Sequence, residues 1–101
     1  MVHPSRDTEA VRVARALADP TRFRLLRAIA ARAEISCQEL TALFPISQAT
    51  VSHHLKVLFE AGLVTVRNEG TFHRYRVVEG ALERYARDVA ALARHPHGAA
   101  R

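Results

Sequence analysis

Between Ser36 and Val77 the spacing of hydrophobic residues changes period, and this limits the possible fold more than any other feature of the chain. Ser36 and Glu39 have the S-x-x-E spacing of a capping box, in which a hydroxyl and a carboxylate each satisfy a free amide at a helix start. They predict a short helix over Cys37–Leu43, stopped by Pro45, which cannot continue the amide ladder. The Phe44-Pro45-Ile46 turn is only three residues long. Ser47 is the next N-cap and predicts a longer helix from Gln48 to about Ala61. Gly62 closes it, because glycine enters the left-handed region without a Cβ clash. The period then falls from 3.6 to 2. Leu63–Arg67 and Phe72–Val77 are β-rich runs around Asn68-Glu69-Gly70-Thr71, which predicts a β-hairpin with a polar tip.

The flanking segments are helical. Val11, Ala14, Leu17 and Ala18 give a short first helix within Thr8–Leu17. Asp19-Pro20 combines an N-cap acceptor with a proline at the first helical position, and it opens a second helix to about Arg32. Phe23, Leu26, Ile29 and Ala30 would form its apolar face. From Glu79 a last helix carries Leu82, Tyr85, Val89 and Leu92 in one stripe. The expected order is α-α-α-α-β-β-α in a mainly α (α+β) domain over residues 8–94. Residues 1–7 and 95–101 are expected to be flexible ends.

A short helix, a tight turn, a longer helix and a hairpin together describe a winged helix-turn-helix. In such a unit the second helix buries one face and offers the other to the major groove of DNA. Val51, Leu55 and Leu58 supply the buried stripe. Gln48, Ala49, Ser52, His53 and Lys56 lie opposite. Gln can pair with adenine, Ser with several base edges, and Lys or His with guanine or phosphate. In the hairpin, Arg67, Asn68, Thr71 and Arg74 would lie near the tip, within reach of phosphates or the minor groove. His54 is expected to be partly buried against the second helix.

Composition agrees on the partner and disagrees on the place. The 101 residues carry a formal charge of +5, and 14 of the 15 basic side chains are arginine. A basic domain of this size points to nucleic acid. Yet residues 1–32 and 63–101 are net positive, whereas residues 33–62, which hold the reading helix, are net negative. No apolar stretch approaches the ~18–20 residues that span a bilayer, and no secretory signal opens the chain. One cysteine cannot build an internal disulfide, so a cytoplasmic location is expected. No cofactor is implied.

The strings A18-D-P-T-R-F-R-L-L26, S47-Q-A-T-V-S-H-H-L-K-V-L-F-E-A-G-L-V64 and H73-R-Y-R-V77 resemble the ArsR/SmtB family of winged helix-turn-helix repressors. The resemblance covers roughly residues 8–93. It implies a homodimer on a palindromic double-stranded operator, with Gln48, Ser52 and His53 touching bases and Ser47 and Thr50 touching backbone or base edges. It also implies a dimer interface from the first and last helices, here Val11, Ala14, Leu82, Tyr85, Val89 and Leu92. Repression rather than activation rests on the resemblance alone.

Many members of that family sense metals through a C-x-C pair near the start of the third helix. Here Ser36 and Gln38 occupy those positions, with Cys37 between them. The second site common in the family needs histidine in the last helix, and Glu79–Leu92 has none. A metal site is therefore not expected. His3 and the His95-Pro96-His97 tail are read as solvated ends, and Cys37 as a half-buried core residue, with a redox role as the alternative. A repressor responding to redox state or to an unidentified ligand is one alternative function. A winged-helix protein-interaction module is another, supported by the acidic middle segment. No nucleophile–base constellation or phosphate-binding loop points to an enzyme.

Overall fold

The computed structural model describes the backbone of residues 4–94 and the side chains of residues 8–94. The elements run α1 (Pro4–Ala18), α2 (Pro20–Ala30), β1 (Ile35–Ser36), α3 (Cys37–Leu43), α4 (Gln48–Glu60), β2 (Val64–Glu69), β3 (Phe72–Val77) and α5 (Glu79–Arg94). This is the expected order with one added strand. The two residues of β1 pair antiparallel with β3, Ile35 opposite Tyr75 and Ser36 opposite Arg74, giving a sheet ordered β1-β3-β2. A two-residue strand has no period to read, and only its partner reveals it.

The capping signals are realised. Asp19 Oδ1 accepts from the Arg22 amide at 3.0 Å, with Pro20 opening α2. Ser36 and Glu39 form the reciprocal box at the start of α3, at 3.0 and 2.9 Å. Ser47 Oγ accepts from the Thr50 amide at 3.1 Å. Gly62 has φ 78. Its amide donates to the Phe59 carbonyl, and the Leu63 amide donates to the Leu58 carbonyl at 3.0 Å. These two bonds make a Schellman ending, in which the residue after the glycine packs on the last helical turn. Leu58 and Leu63 are both fully buried. The ending therefore fixes the angle at which the chain leaves α4 for the hairpin.

The core is built by Val13 and Ala16 of α1, Leu25, Leu26 and Ile29 of α2, Ile35, Leu40, the α4 stripe Val51, Leu55 and Leu58, then Leu63, Val64 and Ala81. Several sequence expectations need correction. Helix α1 starts at Pro4, ahead of the Thr8 start expected for it. Its buried residues are Val13 and Ala16, and Val11 and Ala18 are exposed. In α2, Leu25 replaces Phe23 and Ala30 on the buried face. Both shifts are about one position around the helix, because a short, alanine-rich helix offers two nearly equivalent apolar stripes.

The hairpin loop is also tighter than expected, just Gly70-Thr71, with Asn68 and Glu69 inside β2. Gly70 has φ 61, and among the described residues no non-glycine residue has positive φ. That is the pattern of a type II′ turn, whose twist matches that of paired strands. Among the described residues, no helix is long and apolar enough to cross a membrane.

Candidate nucleic-acid interface

Helix α4 is positioned by its inner face. Val51, Leu55 and Leu58 have no accessible surface, so the helix cannot roll without opening the core. Its outer face presents Ser47, Gln48, Ala49, Thr50, Ser52, His53 and Lys56, all exposed. Lys56 makes no ion pair among the described residues. All three hydroxyls on this face have internal contacts. Ser47 Oγ caps the helix and lies 3.0 Å from Thr50 Oγ1. Ser52 Oγ lies 3.5 Å from the Cys37 Sγ of α3. Cys37 is more deeply placed than expected, buried under α4 instead of half-buried.

His54 lies on the inner side of α4, as expected, and joins it to the start of α2. Its Nδ1 is 3.4 Å from the Arg22 guanidinium. Arg22 in turn donates to the carbonyls of Ala16 and Arg15 at the end of α1, at 2.9 and 3.2 Å. Its guanidinium also stands 3.9 Å from Asp19. One side chain thus ties α1, α2 and α4. Burial pushes the His54 pKa down; Asp19 opposes this, and Arg22 and His53 add to it. The amide of Arg22 bonded to Asp19 holds that carboxyl below its ordinary value.

The hairpin differs in kind. Arg67 and Arg74 face each other across β2 and β3, and both are already engaged. Arg67 donates to both Glu34 oxygens, at 3.0 and 2.8 Å, and lies 3.5 Å from Glu69. Arg74 donates to Glu69 at 2.7 Å and stands 3.9 Å from Glu39. Arg76 reaches Glu34 at 3.6 Å. The hydrogen bond from Arg67 holds the Glu34 carboxyl below its ordinary range, and the one from Arg74 does so for Glu69. Asn68 Oδ1 and His73 Nδ1 pair at 2.6 Å, and Thr71 is exposed in the turn. The residues singled out at the hairpin therefore do lie together, but Arg67 and Arg74 sit within a carboxylate network. Sequence reasoning missed Glu34 and Glu39 as parts of it. Their partners are about 35 residues away, and only the sheet brings them close.

On α5 the apolar stripe divides. Leu82 and Tyr85 are partly buried against the protein's own core, so they are not wholly free for the dimer interface that the resemblance implies. Val89 and Leu92 are 46% and 76% exposed, and Val11 of α1 is 49% exposed. Ala14 is half-buried. Helix α5 packs along α1, where Arg84 and Glu9 pair at 3.3 Å. Among the described residues, no group of three or more His, Cys, Asp or Glu side chains is placed to hold a metal ion. His3, His95 and His97 lie outside the described residues.

A core-fixed polar helix following a three-residue turn, with a hairpin beside it, defines a winged helix-turn-helix protein. Residues 17–67 match the family model described as a helix-turn-helix domain. The chain is similar to the probable mercury resistance operon repressor of Streptomyces lividans, at 47% identity over 75 residues, covering 74% of this chain and 57% of that protein. It spans little more than half the length of several curated relatives that it matches. Among solved structures it is similar to an ArsR-like transcriptional regulator from Rhodococcus sp. RHA1, with a TM-score of 0.78 and 29% identity, over 85% of this chain and 80% of that one. It is also similar to the homodimeric winged helix-turn-helix DNA-binding domain of a possible ArsR-family regulator from Mycobacterium bovis. There the TM-score is 0.70 and the identity 28%, over 88% of this chain and 82% of that one. The chain belongs to the ArsR/SmtB family of winged helix-turn-helix transcriptional regulators.

Proposed function

We propose that the protein is a DNA-binding transcriptional repressor that acts as a homodimer on a palindromic double-stranded operator. The observation that carries this reading is the outer face of α4: mainly uncharged polar side chains, all exposed, on a helix whose other face is locked into the core. Such a face suits base edges, which are read by hydrogen bonds and not by net charge. In this reading Gln48, Ser52 and His53 contact bases, Ser47 and Thr50 contact backbone or base edges, and Lys56 contacts phosphate or guanine. Arg67, Asn68, Thr71 and Arg74 approach the flanking duplex.

The dimer would place two α4 helices in successive major grooves about 34 Å apart. Val89 and Leu92 of α5 and Val11 of α1 support it, because these apolar side chains are left in water by one protomer. The partly covered Ala14, Leu82 and Tyr85 would border that surface. The relative solved in solution as a homodimer has the same fold. The inducer is proposed not to be a metal bound at the family's third-helix position. There Ser36 is buried and its hydroxyl caps α3. Gln38 brings no thiolate, and a soft-metal site needs two or three.

Selection of bound duplex from a random pool tests the reading, repeated with metal salts and a thiol oxidant and accompanied by a solution mass measurement. The expected result is an inverted repeat bound by a dimer, unaffected by metal. Recovery of unenriched sequence, or a stable monomer, would overturn it.

A further inference from the structure

One face of the sheet carries a run of alternating charges with a single composition. Glu34 beside β1, Arg67 and Glu69 of β2, and Arg74 and Arg76 of β3 project to the same side, with Glu39 adjoining from α3. Three carboxylates meet three guanidiniums, so the patch is locally neutral although the segment around it is basic. The geometry at Arg67 is the fork that guanidinium offers equally to carboxylate and phosphate, with Nε and one terminal nitrogen each donating to one Glu34 oxygen. The fork is filled before any duplex arrives.

We propose that Glu34 and Glu69 act as intramolecular phosphate mimics, occupying Arg67 and Arg74 so that DNA must displace a carboxylate before the wing engages. The proposal rests on the DNA-binding reading above and adds a determinant of affinity and salt dependence to it. Charge-driven contact is the sequence-independent part of DNA binding, and it scales with the number of phosphates neutralised. An arginine already neutralised by a carboxylate adds less to that part. The α4 face lies outside the network, so base reading is untouched. The net effect is to lower the charge-driven part of binding alike on random sequence and on the operator. Displacement is physically open, because the Arg67 and Glu69 side chains are 51% and 55% exposed. Glu34 is 21% exposed and fixed beside β1, so it anchors the network.

The same pairs could instead serve to brace the wing for contact, and the two roles predict opposite signs. The test uses the full chain, a labelled random-sequence duplex and the selected operator, titrated over a range of salt. If masking operates, Glu34→Gln binds random duplex and operator several-fold tighter, the slope of log affinity against log salt steepens by up to about one unit, and the operator-to-random ratio stays the same. Glu69→Gln changes both in the same direction. Glu83→Gln on α5, an equal change of charge, leaves them unchanged, and adding Arg67→Ala to Glu34→Gln removes the gain. Unchanged or weaker binding by Glu34→Gln and Glu69→Gln overturns the proposal, as does an equal gain from Glu83→Gln. If the wild-type chain binds no duplex at all, the DNA-binding reading fails as well. If it binds and neither glutamine variant gains, masking alone fails.

Discussion

Helix α4 and the β2–β3 hairpin are the two regions proposed to meet DNA, and they are constructed in opposite ways. The helix is anchored by apolar burial and presents an exposed polar face. The hairpin is joined to the core through Val64, Tyr75 and Val77, and its outer face carries charge pairs reaching back to Glu34 and Glu39. Rigid burial suits a surface that must present hydrogen-bond groups in fixed positions, because discrimination between bases depends on geometry. Exchangeable ion pairs suit a surface that must give way to phosphate, since exposed pairs contribute little stability. On the proposed function, the difference assigns sequence discrimination to the helix and tunable affinity to the wing.

The largest effect that would sharpen this contrast is on stability. Leu55→Ala is expected to cost about 2–5 kcal/mol, because it leaves a cavity under α4. Phe72→Ala on the half-exposed hairpin should cost less than about 1 kcal/mol; urea denaturation of both variants measures the gap, and equal losses would break the comparison. Next comes discrimination. Gln48→Ala should lose about 1–3 kcal/mol at the operator and little on random duplex, read by titration of both. Arg74→Ala should weaken all sequences alike and flatten the salt slope by at most about one unit, since Glu69 already occupies it. A sequence-selective loss there would move discrimination into the wing.

The smallest effect concerns pH. An unfolded histidine takes up a proton near pH ~6.5, whereas burial makes His54 resist it. Its contribution to stability is therefore complete above that value and is lost as pH falls towards the lower folded value. Thermal melts between about pH 7.5 and pH 5.5 should show a drop that is smaller in His54→Asn. An unchanged drop would mean that another group is responsible.

Most of the architecture was legible before any coordinates, because it is written in local chemistry. Three N-caps, the glycine ending at Gly62 and the alternation after it each depend on residues within a few positions of one another. The faces of α1 and α2 were misjudged where alanines made two stripes equivalent, and β1 was invisible at two residues. The α5 stripe was read as one surface, yet the core claims Leu82 and Tyr85 and leaves Val89 and Leu92 outside. The reading face of α4 was correctly identified as exposed, since a 3.6 period fixes which side chains oppose a buried stripe.

Charge was the least legible property. Sequence order puts an acidic middle between two basic flanks, and this first counted towards a protein partner in place of DNA. The fold spends Glu34 and Glu39 on Arg67, Arg74 and Arg76, so the acidic and basic segments partly cancel on one sheet face. The sequence by itself determined the elements, their caps and the polar face of α4, because these depend on short-range hydrogen bonds and helical period. Only the tertiary structure decided which arginines are free to meet a phosphate, because an ion pair depends on distance in space, and the sheet sets that distance between residues far apart in the chain.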